Sequence, residues 1–312
     1  MARSFEPIVA AFGPDRVRLG AALAPFTTFK VGGPADCLLE LRESVELVRA
    51  IALAREHELP LTLLGGGSNV LISDAGIRGV VARTRGGATA LEHGSCVRAE
   101  AGVSLNGLVR WTIGRGLAGL EAWAGTPGTV GGAVFGNAHY GGRSIGDLVE
   151  SVRLIVASGA VIDVPAAEMR FAYDTSRLSR TGEVLLSALF ALSGPADPAL
   201  LRETARRSLE HRKRTQPLDT PSAGCIFKNP DPAVDAVPDG IPASAGALID
   251  RAGLKGEAIG GAVVSAAHAN FIVNRGGATA ADIRALIARC RETVEVRFGV
   301  VLREEIQYLG EW

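Results

Sequence analysis

The segment PSAGCIFKNP, residues 221–230, places a thiol, an ammonium group and an amide close together in the chain. Cys225 follows a flexible Pro-Ser-Ala-Gly approach, and Lys228 and Asn229 come soon after it. Four roles are open to such a cysteine: a buried apolar residue, a metal ligand, a nucleophile or a proton donor. A thiol with an unperturbed pKa of about 8.5 is mostly protonated at neutral pH and is a far stronger acid than an alcohol. Proton donation is therefore chemically available at this position.

The other cysteines and the histidines do not form a recognisable metal-binding pattern. Cys37, Cys96, Cys225 and Cys290 are widely scattered without C-x-x-C spacing, and the five histidines are equally dispersed. No zinc or iron–sulfur site is readable from this spacing. Scattered thiols in a chain of this length are typical of a reducing compartment.

Composition indicates a soluble globular protein. The chain has 312 residues, which is long enough for two or three domains. Its residues are 47% hydrophobic and 21% charged, as is usual for a globular protein. Lys plus Arg and Asp plus Glu both number 33, and a zero net charge argues against a nucleic-acid partner. The longest apolar run, at 184–192, is about half of a membrane span, and the first residues are too briefly apolar for a signal peptide. We expect a soluble cytoplasmic protein with no membrane partner; composition leaves the oligomeric state open.

Glycine-rich turns follow predicted strands in the first third of the chain. A strand at 35–41, a helix at 44–58 with Ser44 as its N-cap, and a strand–turn–strand at 61–73 predict a β-α-β unit. The turn, GGGSN at 65–69, is not the dinucleotide fingerprint, because Val70 replaces the third glycine and a strand follows. Consecutive glycines can form a nest of N–H groups that binds an anion, although an ordinary tight turn is the simpler alternative.

A second glycine cluster, GTPGTVGGAVFGNAHYGG at 125–142, predicts a helix with an unusual face. Thr126 can serve as its N-cap and Pro127 as its first residue. Gly128, Gly132 and Gly136 would then form a stripe, which needs a reason because each helical glycine costs about 1 kcal/mol relative to alanine. One such reason is the close approach of a flat ligand or of another backbone segment. In addition, a helix N-terminus attracts a pyrophosphate. Together the two clusters suggest a dinucleotide bound in a non-Rossmann manner.

Helical patterns dominate the last third of the chain. A helix is predicted at 197–214, a Pro-rich linker at 215–224, and an amphipathic helix from Ala280 to about Glu295. The apolar face of the last helix contains Ile283, Leu286, Ile287, Cys290 and Val294. Cys290 is therefore predicted to be a core residue.

Five segments together resemble the UDP-N-acetylenolpyruvoylglucosamine reductase family, in family order and over nearly the whole chain. They are TTFKVGGPADCLLEL, LGGGSNVLISDAGIRGVV, GLAGLEAWAGTPGTVGGAVFGNAHYGG, PSAGCIFKNP and AGALIDRAGLKGEAIGGAVVSAAHANFIVN. The resemblance implies a mixed α/β and α+β fold: a two-lobed FAD-binding domain of the vanillyl-alcohol-oxidase-like class and a smaller C-terminal α+β substrate domain. The expected boundaries are 1–85 and 86–214 for the two FAD lobes and 215–312 for the substrate domain. The length resembles the shorter type of the family.

The resemblance also implies FAD and NADPH as cofactors and a sugar nucleotide as substrate. NADPH would reduce FAD, hydride would pass to C3 of the enolpyruvyl group, and a protein acid would protonate C2. That chemistry needs a proton donor, stabilisation of an enolate and an anchor for the diphosphate. The residues predicted to bind the cofactor are those of the two glycine loops: Gly65, Gly66, Gly67, Ser68, Asn69, Thr126, Pro127, Gly128, Thr129 and Gly132.

The catalytic positions follow from the same motifs. Cys225 stands where the family usually has a proton-donating serine, and Glu305 in VLREEIQYLG matches the catalytic glutamate. Glu304 is adjacent, and because side chains alternate along a strand only one of the two carboxylates can face the site. Asn229 and His268 match substrate-domain positions, and His268 has either substrate contact or a structural role.

The segment FAYDTSRL, residues 171–178, departs from the family pattern of Tyr-Arg. Tyr173 matches as a substrate-binding residue, but Asp174 reverses the charge of an arginine that stabilises the enolate. A carboxylate there opposes the reaction unless it points away or is paired. We predict that Arg177 supplies the missing cation.

Two other functions remain open. A related flavoprotein alcohol oxidase or dehydrogenase would explain the glycine loops, but not GCIFKNP together with the C-terminal glutamate. A degenerate paralogue that binds the sugar nucleotide without reducing it would explain Asp174.

Overall fold

The computed structural model describes residues 4–312, so the first three residues of the predicted 1–85 lobe lie outside the described part. The helices are α1 (Glu6–Phe12), α2 (Ser44–Glu56), α3 (Leu105–Ile113), α4 (Val130–Phe135), α5 (Leu178–Thr181), α6 (Pro198–Thr215), α7 (Ala245–Arg251) and α8 (Ala280–Phe298). The strands are β1 (Val17–Ala22), β2 (Pro34–Leu41), β3 (Leu61–Leu64), β4 (Val70–Ile72), β5 (Ile77–Thr84), β6 (Thr89–His93), β7 (Cys96–Glu100), β8 (His139–Tyr140), β9 (Arg143–Ser144), β10 (Val149–Ile155), β11 (Val161–Pro165), β12 (Val184–Ala191), β13 (Ala258–Ile259), β14 (Ala262–Val264), β15 (Ile272–Asn274) and β16 (Gln307–Leu309).

These strands form sheets that differ in connectivity. One sheet has the order β1-β2-β5-β3, with β3 parallel to β5, and α2 connects β2 to β3 as predicted. An antiparallel sheet has the order β11-β10-β12-β7-β6, and a smaller one has the order β13-β14-β15. Strand β4, the second strand of the predicted strand–turn–strand, pairs in parallel with β16 from the end of the chain. The glycine turn between β3 and β4 therefore connects two different sheets.

The chain divides into two compact units. Unit 1 contains the described residues up to Leu19 together with Cys37–Gly66 and Gly79–His211. Unit 2 contains Gly20–Asp36, Gly67–Arg78 and Arg212–Trp312. Two apolar clusters lie within unit 1, one around Trp123 and one around Leu39, and a third around Phe227 lies within unit 2. The predicted boundaries at 85 and 214 stay a prediction.

Helix α8 shows how the apolar pattern becomes core. Its buried residues include all five predicted positions, and Cys290 is 1% exposed, which confirms the core prediction. Burial also raises the pKa of the Cys290 thiol to about 12. Thr279 and Asp282 cap the first turn reciprocally, and Gly299 ends the helix in the left-handed conformation. Burying one such large aliphatic side chain contributes about 1.5–3 kcal/mol, so this face anchors the helix in unit 2.

The predicted N-cap of α2 is wrong by one residue, although the helix starts at the predicted residue 44. The N-cap is Glu43, whose side chain accepts from the backbone of Glu46, while the Glu46 carboxylate reaches back to the Glu43 N–H. Ser44 is the first helical residue, and its hydroxyl instead donates to the Leu186 carbonyl at 2.7 Å. Among the described helices, none is long and apolar enough to cross a membrane.

Candidate active site

The two glycine clusters meet within unit 1. A Cβ added to Gly66 would lie 2.7 Å from the Cα of Gly128, and one added to Gly65 would lie 2.6 Å from Oγ1 of Thr129. Real Cβ atoms do not approach backbone so closely, so only glycine fits at position 66. The close approach of another backbone, one of the two reasons predicted for the glycines, is therefore present. The bare backbone on both sides fits a ligand that is held by N–H groups rather than by side chains.

The predicted helix in the second cluster begins later than expected. Its N-cap is Thr129, whose Oγ1 accepts from the Gly132 N–H at 3.3 Å, and the helix is the short α4. The predictions of Thr126 as N-cap and Pro127 as first residue are therefore wrong. Gly128 has φ +111°, a conformation that glycine alone adopts readily, and Gly136 is already the C-cap. These glycines serve a turn and a close approach, not a helical stripe.

The remaining part of the first glycine turn belongs to unit 2. Gly67 has φ +62°, and a Cβ there would lie 2.2 Å from the Phe26 carbonyl oxygen. The side-chain amide of Asn69 donates to the Glu305 carbonyl at 3.2 Å, and the Asn69 carbonyl accepts from the Gln307 N–H at 3.0 Å. Asn69, predicted only as a cofactor residue, thus also holds the backbone of the predicted catalytic glutamate.

Gly66→Ala is expected to lower the bound flavin content strongly. The new methyl group would push the two glycine turns apart, because its obstacle is the Gly128 backbone and not a flexible side chain. The measurement is the flavin-to-protein absorbance ratio after purification. Gly136→Ala, in the second glycine cluster, is the matched control, since its Cβ would meet its nearest atom at 3.7 Å, an ordinary contact. Equal flavin content in the two variants would contradict this role of the close approach.

The Cys225 segment lies between two other segments of unit 2. On one side the Ile226 N–H donates to the Asn270 carbonyl at 2.8 Å. On the other side the Ile226 carbonyl accepts from the Glu305 N–H at 2.8 Å, and Phe227 pairs with Glu304 in an antiparallel bridge. Cys225 is half-buried, as is Glu305. Two motifs that are 80 positions apart in the printed sequence are thus hydrogen-bonded neighbours.

Sequence analysis missed the residue that holds this arrangement, Asn270. Its side chain is buried, its Oδ1 accepts from the Phe227 N–H at 3.0 Å, and its Nδ2 donates to the Phe227 carbonyl at 2.8 Å. The amide thus pairs with both backbone polar groups, the N–H and the carbonyl, of Phe227 in the predicted catalytic segment. An amide inside the otherwise small and apolar stretch SAAHANFIV was the available signal.

The two adjacent carboxylates at the end of the chain have different partners. Glu304 Oε1 accepts from Nη1 of Arg291 at 3.0 Å, an ion pair with a residue of α8. Burial, followed by the Glu304 charge, raises the pKa of Tyr308. Side chains alternate along extended backbone, so only one of these two carboxylates is expected to face the site, and Glu304 is the one engaged with α8. This arrangement supports the choice of Glu305 as the functional carboxylate.

Asn229 and His268 both lie at the first turn of α7. The Oδ1 of Asn229 accepts from the Ala245 N–H at 3.1 Å, and a Cβ on Gly246 would lie 3.1 Å from Cε1 of His268. Burial, followed by the charge of Lys255, lowers the pKa of His268, and its Nδ1 accepts from the Asn270 N–H at 3.2 Å. His268 is therefore a neutral acceptor that supports the Asn270 segment; substrate contact by either residue stays a prediction.

Asp174 occupies a tight turn in unit 1, next to a histidine that sequence analysis did not single out. Its φ of +50° is left-handed, which aspartate tolerates better than most residues, and the turn is closed by Ala172 and Thr175. The carboxylate is 7% exposed, with Oδ1 at 3.1 Å from Nδ1 of His139. The His139 ring also packs on Tyr173, with centroids 4.9 Å apart. The condition that Asp174 be paired is met by this contact with His139.

The structure places Arg177 in an ion pair of its own. Its Nε and Nη2 donate to the two oxygens of Glu183, both at 2.7 Å, and Glu183 is 8% exposed. The hydrogen bond raises the pKa of Arg177 and lowers that of Glu183. A bidentate pair of this kind fixes the guanidinium plane. The predicted catalytic role of Arg177 would require it to act from this paired position.

Arg177→Ala is therefore expected to act on stability. Removing the guanidinium leaves the buried Glu183 carboxylate without its main partner, which costs about 2–3 kcal/mol of unfolding free energy in a partly exposed pair. Denaturant unfolding measures this loss, and Arg180→Ala on the exposed side of the same short helix is the control. Normal stability with abolished reoxidation of reduced flavin by the enolpyruvyl substrate would instead show that the arginine acts in catalysis.

Comparisons with known proteins agree over the whole described architecture. A family model for the C-terminal domain of UDP-N-acetylenolpyruvoylglucosamine reductase matches residues 216–309, and a model for an FAD-binding domain matches residues 35–165. The reductase 2 of that name from Symbiobacterium thermophilum is 42% identical over 95% of this chain and 93% of its own length. The reductase from Gloeobacter violaceus is 41% identical over 95% of this chain and 97% of its own.

A solved structure shows the same fold. The crystal structure of UDP-N-acetylenolpyruvylglucosamine reductase from Thermus caldophilus is 34% identical, with a TM-score of 0.76, covering 94% of this chain and 99% of that one. The predicted fold class, an FAD-binding part followed by a smaller C-terminal part, is confirmed by these matches. The chain therefore belongs to the UDP-N-acetylenolpyruvoylglucosamine reductase family and is an FAD-dependent oxidoreductase.

Proposed function

We propose that this chain reduces UDP-N-acetylglucosamine enolpyruvate to UDP-N-acetylmuramate, with NADPH as the source of hydride, as a step of peptidoglycan precursor synthesis. The observation that carries the proposal is the hydrogen bond that joins Ile226 to Glu305 at 2.8 Å. It makes the proton-donor segment and the carboxylate segment neighbours within one unit. A flavoprotein alcohol oxidase has no evident use for this pair, because oxidation of an alcohol requires no proton delivery to carbon.

The chemistry assigned to the chain is proton delivery and charge stabilisation. A bound FAD supplies hydride transfer from NADPH to C3 of the enolpyruvyl group. The Cys225 thiol gives its proton to C2, and solvent later restores that proton to the thiolate. In this proposal the Glu305 side chain shares a proton with the carboxylate on which the enolate charge develops. Preorganisation of both groups comes from the backbone hydrogen bonds of Ile226 and from the side-chain amides of Asn69 and Asn270, which bind the backbone of Glu305 and Phe227.

The remaining site residues have supporting roles in this proposal. The two glycine turns, from Gly65 to Asn69 and from Thr126 to Gly132, hold the cofactor through backbone N–H groups. Tyr173, Asn229 and His268 bind or orient the sugar nucleotide. Asp174 is tolerated because its carboxylate is paired with the His139 ring, with Oδ1 3.1 Å from Nδ1. The division into two FAD lobes, 1–85 and 86–214, a substrate domain, 215–312, and a cytoplasmic location belong to the same proposal.

Steady-state turnover tests the activity. Purified flavin-loaded protein is mixed with NADPH, with or without UDP-N-acetylglucosamine enolpyruvate, and NADPH absorbance, product mass and peroxide are followed. NADPH consumption that requires the enolpyruvyl compound and yields UDP-N-acetylmuramate is the expected result. Peroxide release with an alcohol substrate and no response to the sugar nucleotide would favour the oxidase instead.

A protein that binds the sugar nucleotide without reducing it is the second candidate, and the pairing of Arg177 with Glu183 favours it. That guanidinium is bound by Glu183 at 2.7 Å, so a role as the missing cation would require Arg177 to leave this pair or to act from within it. Tight binding of the enolpyruvyl compound to the oxidised protein, measured by calorimetry, together with absent turnover would establish this candidate.

A further inference from the structure

Three side chains with metal-binding atoms meet on unit 1, away from the residues discussed so far. They are His93, Cys96 and Glu150, whose ligand atoms all lie within 4.8 Å of one another. Cys96 Sγ is 3.2 Å from Glu150 Oε2, and His93 Nε2 is 3.9 Å from Glu150 Oε1. A tetrahedral ion bound at about 2.0–2.3 Å from each ligand needs ligand separations of about 3.3–3.8 Å, so the two distances to Glu150, 3.2 Å and 3.9 Å, are close to those of a chelate. We propose that these three residues form a binding site for a divalent ion of the Zn²⁺ class.

The backbone brings the first two ligands together through a hairpin. His93 ends β6 and Cys96 begins β7, and the two are Cα partners in the antiparallel ladder. The two residues between them form the turn, with Gly94 at φ +52° and the Ser95 hydroxyl bonded to the Leu192 carbonyl. Opposed residues in such a ladder project from the same face about 5 Å apart. The resulting H-x-x-C spacing matches the two-residue separation found between paired ligands of structural zinc sites.

The third ligand is aimed at the hairpin by an irregularity in the sheet. The pairing of β10 with β12 shifts between Val149 and Ser151, so Glu150 is the extra residue of a β-bulge. Bulges redirect a side chain out of the regular alternation. Between β10 and β7 lies the end of β12, where Cys96 pairs with the small Ala191. A small residue at that point leaves room for Cys96 and Glu150 to meet across the strand.

Among the described residues, the two arginines on β7 and β10 bind carboxylates other than Glu150. Arg98 on β7 is bound by Glu92, with Nη2 at 3.0 Å from Oε2, and Arg153 on β10 is bound by Asp163. The contacts that the structure shows for Glu150 go instead to Cys96 and His93. A thiolate, a carboxylate and a neutral imidazole together neutralise a divalent ion and form the mixed S, O and N set that zinc accepts. Ligation releases the thiol proton to solvent, and water completes the coordination.

The position of the site indicates a structural role. Cys96 is at the start of β7, whereas Ser104, which follows the other end of that strand, bridges to Thr129 in the cofactor cluster. An ion at His93, Cys96 and Glu150 would therefore clamp the β6–β7 hairpin to β10 without touching the reacting groups. We expect zinc to raise the melting temperature and to leave turnover unchanged.

The test is zinc binding by the chelator-treated, flavin-loaded protein. Equilibrium dialysis against micromolar ZnCl₂ followed by metal analysis is expected to give one ion per chain, and X-ray absorption at the zinc edge one sulfur at about 2.3 Å. Loss of even an outer partner of a metal site weakens binding about 10–100-fold, so Cys96→Ser and Glu150→Gln should each weaken it at least tenfold. His93→Ala is a further variant at an exposed position, and flavin content verifies folding.

Glu92→Gln is the matched control, a nearby carboxylate on the same hairpin that should leave zinc binding unchanged. Zinc binding at less than one ion per chain in the wild type would overturn the proposal. So would Cys96→Ser binding zinc as tightly as wild type, because the ion would then be held by Cys225 or by scattered carboxylates. Both results are independent of whether the chain reduces its sugar nucleotide.

Discussion

Cys225→Ala is expected to slow the reoxidation of reduced flavin by the enolpyruvyl substrate about 10²–10⁴-fold, the usual contribution of a general acid. Reduction of the flavin by NADPH should keep its rate, since that half-reaction needs no proton at C2. The side chain is half-buried and its segment is held by backbone bonds of Ile226, so the fold should persist. Stopped-flow absorbance of the two half-reactions measures both effects in one protein preparation.

Cys225→Ser is the informative control for this prediction. Serine keeps a hydroxyl proton in nearly the same place and is the residue usual in the family, so most of the rate should return. Alanine and serine variants that are equally slow would show that the thiol has a role other than proton donation. An alanine variant as fast as wild type would remove Cys225 from the mechanism.

Glu305→Ala has the second large expected effect, a loss of about 10²–10³-fold in the same half-reaction, as found when one donor to a developing oxyanion is removed. The Glu305 N–H and carbonyl, which bind Ile226 and Asn69, are backbone groups and remain in the variant. Glu305→Gln should retain part of the rate, because an amide N–H can still donate a hydrogen bond.

Glu304→Gln provides a matched control one residue away. It weakens the ion pair with Arg291, a partly exposed pair whose contribution to stability is about 1 kcal/mol or less. Its half-reaction rates should be close to those of wild type. A loss in Glu304→Gln as large as in Glu305→Ala would mean that the register of the strand was assigned to the wrong carboxylate.

Local periodicity was enough to predict the elements that build the cores. The spacing of Ile283, Leu286 and Cys290 predicts the buried face of α8. Periodicity does not locate the N-cap of α4, because Thr126 and Thr129 are both residues of a type preferred at that position. The turn at Gly128 and the bridge from Ser104 to Thr129, which no local pattern reveals, decide between them.

Contacts between distant residues account for what sequence reasoning missed. His139 and Asp174 meet through the fold, as do Asn270 and Phe227, which are 43 positions apart. Cys96 and Glu150 are separated by 54 positions, and a search for C-x-x-C alone overlooks the H-x-x-C hairpin. The glycine clusters are recognisable from their unusual composition. Their mutual contact is not, because it joins residues that are distant in the sequence.

The most direct test of the proposed reduction is an anaerobic experiment in two steps. Bound FAD is reduced with one equivalent of NADPH, UDP-N-acetylglucosamine enolpyruvate is added, and the flavin spectrum is followed. We predict rapid reoxidation with formation of UDP-N-acetylmuramate, which would show that Asp174, paired with His139, is compatible with catalysis. A flavin that is reduced by NADPH but stays reduced after the sugar nucleotide is added would contradict the proposed function and favour the non-reducing binder.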